Sequence, residues 1–336
     1  MTDDTDMIRI CRYTPADKES WNRFVADSKN GTFLFLREYM DYHADRFCDH
    51  SLLFYDEKER LLALLPGNEV TEYGSDGAES RRLYYSHGGL TYGGFIFTLQ
   101  NRAAGVLQLF EALLGYLKRE GFSALYYKKT PVIYHRYPSQ EDDYALWRCG
   151  AQRCACHIAG SVDLTADRLR AVDSRRTAYC RKAIATGYRL RTDAPLADFW
   201  PILVENLQAR HGVSPVHSLP EMELLQRRFP ENIRCFLAER EVEGAWRAEA
   251  GVVVYETPPV AHAQYISASP TGKSDKVLNF LFLSLIERYA ADARFRYFDF
   301  GTSCEQGGHY LNEGLAAQKE GLGGRGVVYE TYCLTI

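Results

Sequence analysis

The residues able to do chemistry in this 336-residue chain gather in a few short stretches. The densest runs from Cys304 to Arg325 and follows the apolar segment Tyr297-Phe298-Asp299-Phe300-Gly301. Glycines at 307, 308, 321, 323 and 324 permit close backbone approach there. A helix over 309–320 would set Leu311 and Leu315 on one face and bring Asn312 and Lys319 together on the opposite edge, where both can meet one ligand. Glu305 and His217 are candidates to accept a proton and Tyr310 to donate one, while Tyr265 and Asp299, on strands, could orient a substrate. The plainer reading of Asp299 is a strand-end residue tying down the Gly301 loop. That of His217 is a helix-entry residue, with Ser218 as cap and Pro220 beginning the helix.

A second stretch, Ser269-Pro270-Thr271-Gly272-Lys273-Ser274-Asp275-Lys276, joins a strand to a helix. Free amides at a helix start favour anions, so Gly272, Lys273 and Ser274 form a candidate phosphate cradle. The pattern is not a Walker A loop, because Ser267 stands where that motif needs Gly. A third, Ser86-His87-Gly88-Gly89-Leu90-Thr91-Tyr92-Gly93-Gly94, suits a sharp loop with His87 and Tyr92 facing a substrate, or equally a structural loop. From Arg168 to Arg191 eight basic residues accompany one acid, Asp173, giving either a contact for a polyanion or a solvated helix face. Cys149, Cys154, Cys156 and His157 lack the spacing of a four-ligand metal site, and the cysteines read as buried free thiols.

These stretches are positioned by elements that recur. In the first half, 51–55 and 61–70 flank a polar turn as a hairpin, Arg82–Ser86 is a third strand, a helix spans about 102–119 with Val106, Leu109, Phe110, Leu113, Leu114 and Leu117 inward, and Ala124–Tyr127 is a strand. The second half repeats the order with Cys235–Ala238, Ala250–Tyr255, Ala261–Ser267, a helix over 275–291 and Tyr297–Gly301. Further helices are expected at 21–26, 36–46, 167–187 and 196–211. Two α+β domains follow, 1–158 and 159–336, with the site expected in the second and near their junction.

Composition sets limits. Forty Lys and Arg against 44 Asp and Glu give a net charge of −4, unlike a dedicated nucleic-acid binder. The strongest apolar run, Val277–Ile286, is too short for a membrane span and carries Asn279 and Ser284. An acidic N-terminus and an odd count of nine scattered cysteines suit reduced thiols and a cytoplasmic location.

The order strand, two helices, antiparallel meander, helix, strand resembles the GNAT acyltransferase plan, and its tandem form the FemAB-like branch. The resemblance is carried by Tyr297 to Gly301, Tyr310-Leu311-Asn312 and Lys319-Glu320-Gly321-Leu322-Gly323-Gly324-Arg325, by the His87 loop, and by His211 with Pro215-Val216-His217-Ser218. It implies two tandem GNAT-like domains, each a mostly antiparallel sheet flanked by helices, and adds His211 and Arg325 to the substrate contacts. It further implies an N-acyltransferase that uses an acyl-CoA co-substrate, without a metal or covalent intermediate, to acylate an amine on an amino sugar or other cell-envelope precursor. Aminoacyl transfer from charged tRNA to a peptidoglycan precursor is the alternative within enzymes. A non-catalytic glycan or nucleotide-sugar binding protein of the same fold is the alternative outside them.

Overall fold

The computed structural model describes residues 8–73, 79–165 and 171–336, apart from the side chains of residues 79, 80, 210 and 211. Two compact units divide the chain. Met1–His157 joins Val328–Ile336 in the first, and Ile158–Val327 forms the second.

The first unit holds, in order, β1 (Arg9–Arg12), α1 (Lys18–Asp27), α2 (Arg37–Met40), β2 (Cys48–Asp49), β3 (Leu52–Tyr55), β4 (Leu61–Leu65), β5 (Asn68–Tyr73), β6 (Glu79–Tyr85), α3 (Ala103–Arg119), β7 (Ala124–Lys128), α4 (Glu141–Arg148) and the start of β8 (Gln152–Asp163). The expected strand over 61–70 is two strands. Pro66 cannot donate to a ladder, and Gly67 lies so close to Tyr84 that a Cβ would collide with its ring. β4 therefore pairs with β3, whereas β5 pairs with β6 in a different sheet. The helix expected over 36–46 is short, ending at Met40 and continuing as a single 3-10 turn. α3 buries Val106, Leu109, Phe110, Leu113 and Leu117 and connects β6 to β7, which pair in parallel. A parallel neighbour requires such a crossover.

The second unit continues with α5 (Ser174–Ala185), β9 (Arg189–Arg191), α6 (Leu196–His211), α7 (Leu219–Arg228), β10 (Ile233–Val242), β11 (Ala245–Thr257), β12 (Val260–Ala268), α8 (Pro270–Ser274), α9 (Leu278–Ala290), β13 (Tyr297–Thr302), β14 (Cys304–Glu305), β15 (Tyr310–Leu311) and α10 (Glu313–Gly321). Its strands run in the order β8-β13-β12-β11-β10-β9. β12 and β13 pair in parallel across the α9 crossover. The helix expected over 275–291 is α9, which starts only at Leu278: Lys276, whose φ of +58° cannot belong to a right-handed helix, separates it from the short α8. α9 is apolar nearly all round because it is buried among the sheet and α5; Phe280, Phe282, Leu285, Ile286 and Tyr289 join the core that includes Phe298 and Phe300. The last strand, β16 (Arg325–Thr335), pairs through Thr331–Thr335 with β7, so Val328–Ile336 belongs to the first unit. The expected domain 159–336 differs there, since local spacing cannot show which sheet a terminal strand completes.

Candidate active site

The site begins where β12 and β13 part. Their ladder runs Val260 to Tyr297, Ala261 to Phe298 and His262 to Asp299, and ends at that rung. Beyond it Gly301 takes a φ of +74°, and Thr302 is next paired with Ala159 of β8. Between the diverging strand ends lies a cavity of about 550 Å³. Ile266, Ser267 and Ala268 line one side and Phe300 the other, while α5, the α8–α9 turn and α10 supply the remaining walls.

Five cationic side chains line this cavity: Arg175 and Arg176 from α5, Lys273 and Lys276 from the α8–α9 turn, and Lys319 from α10. No carboxylate does so among the described residues. Cations converging in a partly desolvated space attract an anion more strongly than the same charges in open water. Arg176 Nη1 reaches Asn279 Oδ1 at 3.4 Å, while its buried Nε has no hydrogen-bond partner among the described residues. Lys273 Nζ donates to Asn206 Oδ1. Ile266, Leu278, Phe282, Phe300, Leu315 and Leu322 provide an apolar wall opposite these charges.

Lys319, expected on a helix edge shared with Asn312, is 5% exposed. Its Nζ donates to the carbonyl oxygens of Gly301 at 2.8 Å and Thr302 at 2.5 Å. Burial lowers its pKa to about 8, against which the Asp299 carboxylate pulls upward. Asn312 does not share its edge: it is the N-cap of α10, its Oδ1 accepting from Leu315 N at 3.0 Å. The hairpin β14–β15 occupies the residues expected to open that helix.

The phosphate cradle expected from free amides is not available in that form. Gly272 N–H donates to Ser269 Oγ at 3.0 Å and Lys273 N–H to Ser269 O at 2.9 Å, so both amides are used within the loop. Gly272 is needed for another reason: a Cβ there would collide with the Glu249 carbonyl. Gly272 and Lys273 nonetheless line the cavity, and Ser274 does not. The basic stretch and this loop, distinct in the sequence, meet at one cavity. Arg168 and Arg170 lie outside the described residues.

The remaining candidates separate. His217 and Tyr265 form a pair, with Nδ1 2.5 Å from the hydroxyl and the His217 amide 3.3 Å from the same oxygen. Neither lines the cavity, though Tyr265 directly precedes Ile266 on β12. Ser218 and Glu221 form the capping box of α7, as the helix-entry reading of His217 expects. Asp299 is fully buried, bonded to His262 Nδ1 at 2.8 Å and to Gly301 N at 3.0 Å, and is not among the residues lining this cavity. Glu305 and Tyr310 face each other across β14–β15; both are exposed and outside the cavity lining. Arg325 is exposed and bonds the carbonyls of Gly324 and Glu320. The side chain of His211 lies outside the described residues. His262 was not legible as a site residue; its one signal is an imidazole within the apolar strand Val260-Ala261-His262-Ala263.

In the first unit the corresponding gap is closed. β6 and β7 pair from Leu83 with Ala124 to Tyr85 with Tyr126, after which residues 86–97 fill the space. Ser86 Oγ accepts from Lys128 N at 2.7 Å, Gly93 N donates to Lys128 O at 2.9 Å, and Thr130 Oγ1 donates to Gly93 O at 2.7 Å. Lys128 Nζ donates to Leu90 O. His87 and Tyr92 are 3% and 2% exposed, so both belong to this filling and neither faces an open cleft. Burial, with His43 stacked 5.2 Å away, lowers the His87 pKa to about 3.

Comparison with solved structures finds chains of similar fold over nearly the whole length. FemX superposes with a TM-score of 0.70 at 10% identity over 98% of this chain and 97% of that one. The chain has a tandem GNAT-like α+β fold. L-PGS from Bacillus licheniformis follows at 0.57, with 13% identity over 96% and 91%. A tandem GNAT protein from the clavulanic acid biosynthesis pathway gives 0.52, with 11% identity over 98% of each chain. No family model and no curated protein sequence matches the chain. Among the described residues no helix is long and apolar enough to cross a membrane.

Proposed function

We propose that the protein is an acyltransferase whose donor, an acyl-CoA thioester, binds in the cavity of the second unit and acylates an amine on an amino sugar or another cell-envelope precursor. The observation that carries this reading is the cavity lined by five cations and no carboxylate among the described residues, opening where two parallel strands part. Arg175, Arg176, Lys273 and Lys276 take the phosphates, and the apolar wall takes the chain bearing the acyl group. The amine nitrogen attacks the thioester carbonyl carbon: the C–N bond forms, the C–S bond breaks, and sulfur leaves with the electron pair. Lys319, a buried cation at the point of divergence, stabilises the negative charge that develops on oxygen and then on sulfur. His217, paired with Tyr265 on the strand that lines the cavity, is assigned the proton released by the amine, through water. A cytoplasmic location accords with such a donor.

A second reading, aminoacyl transfer from charged tRNA, is favoured by the exposed Arg181 and Lys182, which continue the charge of α5 beyond the cavity-lining Arg175 and Arg176. Release of thiol from acetyl-CoA in the presence of a panel of amino sugars tests the first reading: amine-dependent release is the expected result. Release of none, with transfer from aminoacyl-tRNA instead, selects the second. Binding of donor without transfer to any acceptor selects a non-catalytic protein.

A further inference from the structure

Lys319 is held by a chain of contacts that ends two elements away. The His262 imidazole donates from Nδ1 to Asp299 Oδ2 at 2.8 Å. Asp299 Oδ1 accepts the Gly301 amide at 3.0 Å. The carbonyl of the same glycine, with that of Thr302, accepts from Lys319 Nζ. His262 and Asp299 are the last rung of the β12–β13 ladder, so the chain starts at the point of divergence itself. Gly301 is clasped by it on both sides: its φ is +74°, and a Cβ there would stand 3.3 Å from His262 Cε1. None of this is needed to hold two strands together, because the backbone ladder already does so. A fully buried carboxylate beside a buried ammonium is costly unless both are bonded. Here the carboxylate bonds the turn whose carbonyls bond the ammonium.

We propose that Asp299 and His262 are positioning residues for Lys319, fixing its ammonium at the wall of the cavity through the Gly301 turn and supplying the charge that opposes it. The inference rests on the donor-site reading for its functional consequence, but the arrangement of Lys319 can be measured without a donor. Charged and titratable groups around Lys319 are Asp299 from β13, Cys304 from β14, Arg175 and Arg176 from α5, and Lys273 and Lys276 from the α8–α9 turn; Asp173 abuts Gly321 of its own helix. Of these, Asp299 is the carboxylate that acts on the Lys319 ammonium, and it favours the charged form against burial. Substituting Asn keeps an acceptor for the Gly301 amide, removes the charge, and turns an amide donor toward His262, which His262→Ala controls for.

The test is an NMR titration of the lysine side-chain nitrogens in the full chain, with the Lys319 signal assigned by Lys319→Arg, together with calorimetric binding of inorganic pyrophosphate. Wild-type Lys319 should titrate with a midpoint of about 8. Asp299→Asn should lower that midpoint by about one pH unit, the effect of losing a neighbouring opposite charge. His262→Ala should weaken pyrophosphate binding about tenfold and shift the midpoint, and His262→Asn, which restores a donor to Asp299, should recover most of both. An unchanged midpoint in Asp299→Asn overturns the proposal; should that variant not fold, an unchanged midpoint and affinity in His262→Ala overturns it. If wild type binds neither pyrophosphate nor acetyl-CoA, the donor-site reading fails while the titration still decides the role of Asp299 and His262.

Discussion

Lys319→Met should remove a specific pH dependence from the stability of the protein. The folded chain holds this amine with a pKa of about 8, whereas the unfolded chain holds it at the ordinary lysine value of 10.5. Between those values the folded state binds fewer protons, so stability rises with pH across the window. A shift of that size corresponds to about 3 kcal/mol at 1.36 kcal/mol per unit. Two effects oppose each other at pH 7. Methionine relieves the burial of a charge, worth up to the same ~3 kcal/mol, but leaves the Gly301 and Thr302 carbonyls without their donor, at about 1–3 kcal/mol each where water does not replace it. The change at pH 7 is therefore small, and the slope is the diagnostic quantity. Urea unfolding of wild type and variant at intervals from pH 7.5 to 10.5 should show wild type gaining about 3 kcal/mol relative to the variant. Lys128, lowered to about 8 by burial, titrates in the same range but contributes to both curves and cancels. Parallel curves would show instead that Lys319 is solvated like a surface lysine.

His87 supplies a prediction on the acid side. Its folded pKa of about 3 lies below the ordinary 6.5, so its contribution is intact above pH 6.5 and is lost as pH falls toward 3, at up to about 1.4 kcal/mol per unit. His87→Asn, which tolerates the φ of +72° at this position, should flatten that part of the unfolding profile; an unaltered slope contradicts it. Because Lys273 and the α5 arginines line one cavity, Lys273→Glu and the double substitution Arg175→Glu with Arg176→Glu should weaken the same ligand, each by tenfold or more, with a steep salt dependence in wild type. Loss of acetyl-CoA binding in one and full retention in the other would show two separate sites.

Much of the fold was legible because periodicity and turn chemistry are local signals. The α3 stripe, the α6 span, the Ser218 cap and the strand order around each crossover helix follow from neighbouring residues alone. The site was less legible because its charge and exposure are set by distant elements. Lys319 looks like a solvated helix residue in sequence, and only the bulge at Gly301, with its two carbonyls turned toward α10, makes it a buried cation. The Gly272 and Lys273 amides look free until Ser269 turns back on them. His87 and Tyr92 look like cleft residues because four glycines surround them, yet those glycines let the loop pack inward against Lys128 and Tyr134. The α5 arginines and the Lys273 turn lie about a hundred residues apart, and no spacing rule could show that they share a cavity.

Titration calorimetry of acetyl-CoA into the full chain and into Arg176→Glu with Lys273→Glu decides whether the cavity of the second unit binds the donor. One molecule should bind per chain, because the first unit fills its own gap, with binding weakened by added salt and lost in the variant while the fold remains intact by circular dichroism. Two molecules per chain, or one whose affinity the variant leaves unchanged, would contradict it.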